Sequence, residues 1–280
     1  MKLSEKIHLL KLDFEIQVNT ETKLQRFVNI IIILGEKITL IDTGVKTSFS
    51  HIQDYLQVNG REISEIDRII LSHAHPDHIG TAAKLKEISG CKIIAHQAEK
   101  DWMENIQLQF NERPVPGFFN LVDTSILVDE YISLNQVIEI EQNIHLEIFH
   151  APGHSKGSIN ILFQEDGILF TADSIPLKGD IPNYDNFPQL IKTVDDINNR
   201  NGYHTLLSSW TVPLFDRHHI NILLSEGSAY MLEIDNAIKL NYLLSNLDEN
   251  EACINTLKLI GLPPFLAVPV VLKAFRSHIY

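Results

Sequence analysis

The run Ile66-Asp67-Arg68-Ile69-Ile70-Leu71 leads straight into Ser72-His73-Ala74-His75-Pro76-Asp77-His78, which sets three imidazoles and one carboxylate within six positions. A short apolar run bounded by polar residues reads as a buried strand. If the chain stays extended through the first part of the cluster, His73 and His75 point to the same side, because side chains alternate along a strand. Pro76 then turns the chain, and Asp77 and His78 can serve a neighbouring position. Imidazole and carboxylate together suit zinc, iron or manganese. A site placed at the end of a buried strand is also held rigidly by its sheet.

The rest of the chain alternates strands with helices. Residues 27–34 and 38–41 flank Gly35-Glu36-Lys37, a hairpin signal that ends in Asp42-Thr43-Gly44. Helices are expected over 49–58 and 82–88, the second stopping near Gly90 ahead of a short strand over 91–95. The stretch 100–143 is harder to read, and the prolines and glycine of 111–118 predict a mobile or ligand-facing connection. A strand over 144–149 leads into Ala151-Pro152-Gly153-His154, and a hairpin over 159–163 and 168–170 ends at Thr171-Ala172-Asp173. A helix over 190–198 and a strand over 205–207 follow, which makes the class α/β. Beyond Pro213 the pattern turns helical. The expected division is a metal-binding domain over 1–212 and a helical extension or cap over 213–280, packed on the same domain.

Composition narrows the function. A length of 280 residues allows one large domain or two small ones, and 44% hydrophobic with 21% charged residues is ordinary for a globular chain. No run of eighteen apolar residues predicts a membrane span, and the N-terminus lacks the shape of a secretory signal peptide. Cys91 and Cys253 form neither a disulfide framework nor a Cys-x-x-Cys pair, so a cytoplasmic location is expected. A formal charge of -13 argues against a nucleic-acid surface. It leaves room for a small anionic substrate, because bound ions change the field inside a site.

His154 and Asp173 each have an ordinary structural reading, as a turn donor and a helix cap. Together with the cluster they complete a compact two-metal centre, in which a carboxylate can bridge ions ~3.5–4 Å apart. Asp77 is the candidate to orient a water or carry a proton. Asp42 is the candidate to fix a ligand histidine from behind, with a turn-forming aspartate before Thr-Gly as the alternative.

The chain resembles the metallo-β-lactamase superfamily, whose His-x-His-x-Asp-His pattern is met literally at His73, His75, Asp77 and His78. The likeness continues at Gly153-His154, Ala172-Asp173 and Leu40-Ile41-Asp42-Thr43-Gly44, and it spans about residues 25 to 210. It implies an αββα sandwich with metals at one edge. By that resemblance His73, His75 and His154 hold a first metal, Asp77 and His78 serve a second, and Asp173 bridges. The chain departs from the family where a last histidine is usual, since Leu206-Leu207-Ser208-Ser209-Trp210 has none. Three accounts stay open: His218 or His219 reaches back, a water fills the place, or the second ion is weak or absent. His204 precedes the strand and is a poorer substitute, and an indole N–H has no lone pair to offer a metal.

The resemblance implies two divalent ions, zinc foremost, with manganese, iron or a single ion as alternatives. Such a fold hosts many chemistries and does not fix a substrate. Hydrolysis of a small-molecule ester, thioester or lactone, similar to glyoxalase II-like members, is the expected function. The rivals are a mononuclear iron sulfur dioxygenase resembling the persulfide dioxygenases, a phosphodiesterase, and a non-catalytic metal-containing binding protein. Tyr184, Trp210 and the pair Phe118-Phe119 are candidate pocket walls, although aromatics more often serve a core, and Lys156 is a candidate anion contact. The expected partner is a small-molecule substrate, with neither nucleic acid nor membrane. The C-terminal helices suit either a homodimer or a cap.

Overall fold

The computed structural model describes residues 1–17, 21–133, 136–243 and 247–279. Two sheets form its centre. The first is built from β1 (Ile7–Gln17), β2 (Lys23–Leu34), β3 (Ile38–Ile41), β4 (Ile66–Ile70), β5 (Lys92–His96) and β6 (Glu130–Ile132), in that spatial order. The second holds β7 (Val137–Glu141), β8 (Ile144–His150), β9 (Ile159–Phe163), β10 (Ile168–Phe170) and β11 (Thr205–Leu207), ordered β11-β10-β9-β8-β7. β1, β2 and β3 are antiparallel neighbours, whereas β3, β4, β5 and β6 run parallel. Parallel neighbours need crossovers, and helices lie in all three.

The helices in chain order are α1 (Phe49–Val58), α2 (Pro76–Ile79), α3 (Ala82–Ser89), α4 (Lys100–Glu104), α5 (Ile106–Glu112), α6 (Phe118–Leu121), α7 (Phe187–Asn199), α8 (Arg217–Ile238), α9 (Glu249–Leu259) and α10 (Pro269–Arg276). Alternation along β2 shows why four layers result. Val28, Ile30 and Ile32 pack with Ile52 and Leu56 of α1 and Leu85 of α3. Ile31 and Ile33 instead face Leu146, Ile148, Ile161 and Phe170 of the second sheet. The outer face of that sheet, with Leu162, Leu169 and Leu206, is covered by Val194 and Ile197 of α7 and Leu224 of α8. A strand buried on both faces needs apolar residues at successive positions, which is what β2 supplies. The αββα sandwich is therefore read directly from two interleaved sets of side chains.

The expected helices at 49–58, 82–88 and 190–198 and the expected strands match these elements within a few residues. The stretch 100–143 contains α4, α5, α6 and β6, each too short to show a period. The C-terminal helices build a core of their own, with Met231, Ile234, Leu257, Val271 and Phe275, and seat it against Tyr184 and Leu190. Cys91 and Cys253 are buried free thiols. Among the described residues no helix is long and apolar enough to cross a membrane.

Candidate metal centre

The ends of β4, β8 and β10 converge at one edge of the sandwich. His73, His75 and His154 form one group of mutually close ligand atoms, and His73, His78 and Asp173 form a second, each within 4.8 Å. His154 Nε2 lies 2.8 Å from His75 Nδ1 and 3.3 Å from Asp173 Oδ2. His78 Nε2 lies 3.2 Å from Asp173 Oδ1 and 3.8 Å from Asp77 Oδ2. His73 Nε2, His75 Nε2, His78 Nε2 and Asp173 Oδ1 are nevertheless buried without a hydrogen-bond partner. Buried polar atoms are rarely left so, and a cation that accepts their lone pairs resolves the deficit. The donor set fits a divalent ion.

Electrostatics points the same way. Burial pushes the His73 and His75 imidazoles well below their ordinary range, and it brings His154 down to about 4. Neutral imidazoles are the form that ligates metal. His78 behaves oppositely: burial pulls it down, but Asp173, Asp42 and Asp77 outweigh this and raise it well above.

Behind these groups sits a hydrogen-bonded frame. Asp42 accepts from the Ser72 amide and the Ser72 hydroxyl, both at 2.7 Å, and faces His78 Nδ1 at 2.8 Å. Asp42 and Ala172 have φ of 63° and 44°. Left-handed backbone at non-glycine residues costs on the order of 1–3 kcal/mol each and collects at functional sites. Glu99 accepts from the amides of Ala74 (2.9 Å) and Gly157 (2.5 Å) and from the Ser155 hydroxyl (2.6 Å), tying the His73–His78 loop to the His154 loop. Gly153 has φ 129°, and a Cβ there would stand 2.4 Å from the backbone of Leu190. The chain reaches His154 only by pressing that close to α7.

The fold brings together His73, His75, Asp77, His78, His154 and Asp173, with Asp42 behind His78 as expected. It does not bring in His218 and His219. Both lie exposed at the start of α8, where His219 pairs with Asp216, so neither replaces the missing histidine. Ser209 occupies that region: its amide donates to Ala172 beside Asp173, and its buried hydroxyl has no partner. Trp210 packs its ring under the Arg26 guanidinium at 4.5 Å. Trp210 and Tyr184 both line a small cavity with His154 and Asp173. The Tyr184 hydroxyl meets His278 Nε2 at 2.7 Å, and His278 Nδ1 meets Asp235 at 3.0 Å, so the C-terminus is pinned to this wall. Phe118 belongs to the core, and Phe119 and Lys156 are exposed.

Sequence reasoning missed Glu99, Arg26 and Arg113. Arg26 pairs with Asp180 through two 2.8 Å contacts, and Arg113 is 2% exposed. None stands in a motif, and each looks locally like a surface residue.

Comparison with known proteins agrees with this geometry. Residues 24–225 match the model of the Metallo-beta-lactamase superfamily. A probable metallo-hydrolase of Methanocaldococcus jannaschii is 32% identical over 147 residues, 52% of this chain and 66% of that protein. A hydroxyacylglutathione hydrolase of Haemophilus influenzae is 27% identical over 175 residues, 61% of this chain and 74% of that protein. The matched part thus spans about two thirds to three quarters of these two relatives, and 56% of a metallo-beta-lactamase fold-containing protein of Sulfurisphaera tokodaii. A metallo-beta-lactamase family protein from Thermus thermophilus superposes with a TM-score of 0.76 at 16% identity, covering 99% of this chain and 94% of that one. With its ligand pattern, its sandwich and the family match over most of its length, the chain belongs to the metallo-beta-lactamase superfamily.

Proposed function

We propose that the protein is a metal-dependent hydrolase of a small ester, thioester or lactone. The observation that carries this reading is the pair of ligand groups sharing His73, set beside a largely apolar cavity that Asp77 also lines. His73, His75 and His154 would hold one ion, and Asp77, His78 and Asp173 would serve a second, zinc being the first choice for such donors. When bound, a divalent ion supplies a water acidified toward neutral pH and a Lewis acid for an acyl oxygen.

The chain's own residues do the rest. Burial, reinforced by Asp173, raises the Asp77 carboxyl above its ordinary range, against the pull of His78. Asp77 lines the cavity beside His78, where it is placed to orient the attacking water or take its proton. Asp42 keeps the His78 ring oriented, and the apolar walls keep bulk water out.

The test is elemental mass spectrometry on protein purified without added metal, followed by turnover assays on ester, thioester and lactone panels. One to two zinc or manganese ions per chain with turnover of an acyl substrate supports the reading. About one iron with oxygen consumption and no hydrolysis replaces it by the mononuclear sulfur dioxygenase. That rival draws support from the stretch Leu206-Leu207-Ser208-Ser209-Trp210, which offers no imidazole to complete the second group.

A further inference from the structure

Arg113 follows α5 and is buried to 2% exposure. One amino group donates to the Asn183 side chain, and its Nε has no hydrogen-bond partner. The carboxylates that act on it through space are Asp185, Asp77, Asp173 and Glu99, and none of them hydrogen-bonds to its guanidinium. Among the described residues no carboxylate stands within ion-pair distance of Arg113. Its buried Nε is an unused donor, and an oxygen of a bound ligand is the natural complement.

Arg113 and Asp77 line the same cavity, and its remaining wall is mostly apolar, with Ile16, Leu24, Val115, Leu266 and Val268. Two of these come from the segment between α9 and α10, so the C-terminal helices complete the pocket. The cavity offers about 110 Å³, and one water needs roughly 10–15 Å³ by the same measure. That is room for a medium-length aliphatic chain, with polar groups gathered near Asp77.

We propose that this cavity binds the aliphatic acyl chain of an ester or thioester substrate, with Arg113 placed to hold the carboxylate of the acid product. The assignment rests on the hydrolytic reading above. In the reaction, the oxygen of water bonds to the acyl carbon and the acyl C–O or C–S bond breaks. The alcohol or thiol leaves with one proton of that water, the other is released to solvent, and the acid product keeps its negative charge beside Arg113.

The experiment pairs turnover with direct binding on the full-length, metal-loaded protein. Acetyl to dodecanoyl thioesters give kcat/KM, and calorimetry compares octanoate with butanoate. The expected result is a rise of roughly 2–4-fold per methylene up to a medium length, then a plateau. Octanoate should bind at least about tenfold tighter than butanoate, from the same apolar burial. Arg113→Gln, which keeps a donor for Asn183, should weaken octanoate about tenfold or more. Val268→Trp should shrink the octanoyl-to-acetyl ratio, with melting curves showing both variants folded. Turnover without chain-length dependence, or octanoate binding indifferent to Arg113→Gln in folded protein, overturns the subsite alone. No turnover of any member of the series overturns the hydrolytic reading as well.

Discussion

Asp42 Oδ2 stands 2.8 Å from His78 Nδ1, with both side chains fully buried, and the same carboxylate accepts twice from Ser72. Asp42 thus sets the ring so that Nε2 faces the metal centre. In Asp42→Asn one acceptor becomes a donor and meets either Ser72 or His78. Affinity for the second ion should fall roughly 10–100-fold, and stability should fall by about 1–3 kcal/mol. A zinc titration against a competing chelator reads the first effect, and unchanged affinity would remove the role given to Asp42.

Ser209 sits beside the strand end that carries Asp173, with its own hydroxyl unpartnered. Ser209→His should supply a further imidazole to the second group. Metal content of protein dialysed against a mild chelator should rise by close to one ion per chain. A folded variant with wild-type stoichiometry would place the shortfall elsewhere.

The metal-free protein should lose stability in mild acid. His154 titrates at about 4 in the fold because burial resists its charge, against an ordinary value of 6.5. The unfolded chain therefore binds more protons there, so the stability is present above about pH 6.5 and is lost as pH falls toward 4. His73 and His75, also depressed by burial, act in the same sense. Each contributes a slope of up to about 1.4 kcal/mol per pH unit. Urea titrations between pH 7 and 4 measure it, and a flat profile would contradict the neutral state of these rings.

Gly153→Ala should be severe. The new Cβ would meet the Leu190 backbone at 2.4 Å, at a φ that L side chains rarely adopt. A cost of about 3 kcal/mol or more is expected from strain and overpacking together. A urea midpoint shift worth less than about 1 kcal/mol would show that α7 yields easily.

The juxtaposed donor residues were legible because each is local: a strand pattern runs into His73–His78, into His154 and into Asp173, and donor atoms accumulate at those ends. Asp42 was legible for the same reason. Glu99 and Arg113 were not, because their roles come from burial between segments far apart in sequence, which no local pattern records. Adjacent histidines misled in the other direction. His218 and His219 suggested a ligand by residue type alone, whereas the periodicity of α8 buries Ile220 and Leu224 and leaves both rings in solvent. The cavity was only hinted at, through the prolines near Val115, because its far wall comes from Leu266 and Val268.

The shared ligand His73 follows a strand of the first sheet, while Asp173 follows a strand of the second, one hundred positions later in the chain. An ion seated between them is a removable cross-link, closing a loop that is otherwise costly to close in the unfolded chain. Such a link can form only after both sheets have met face to face. Metal loading would thereby double as a checkpoint on assembly: a chain that had mispaired its halves would have nowhere to keep the ion. Starvation for metal would then shorten the lifetime of the molecule as well as silence it.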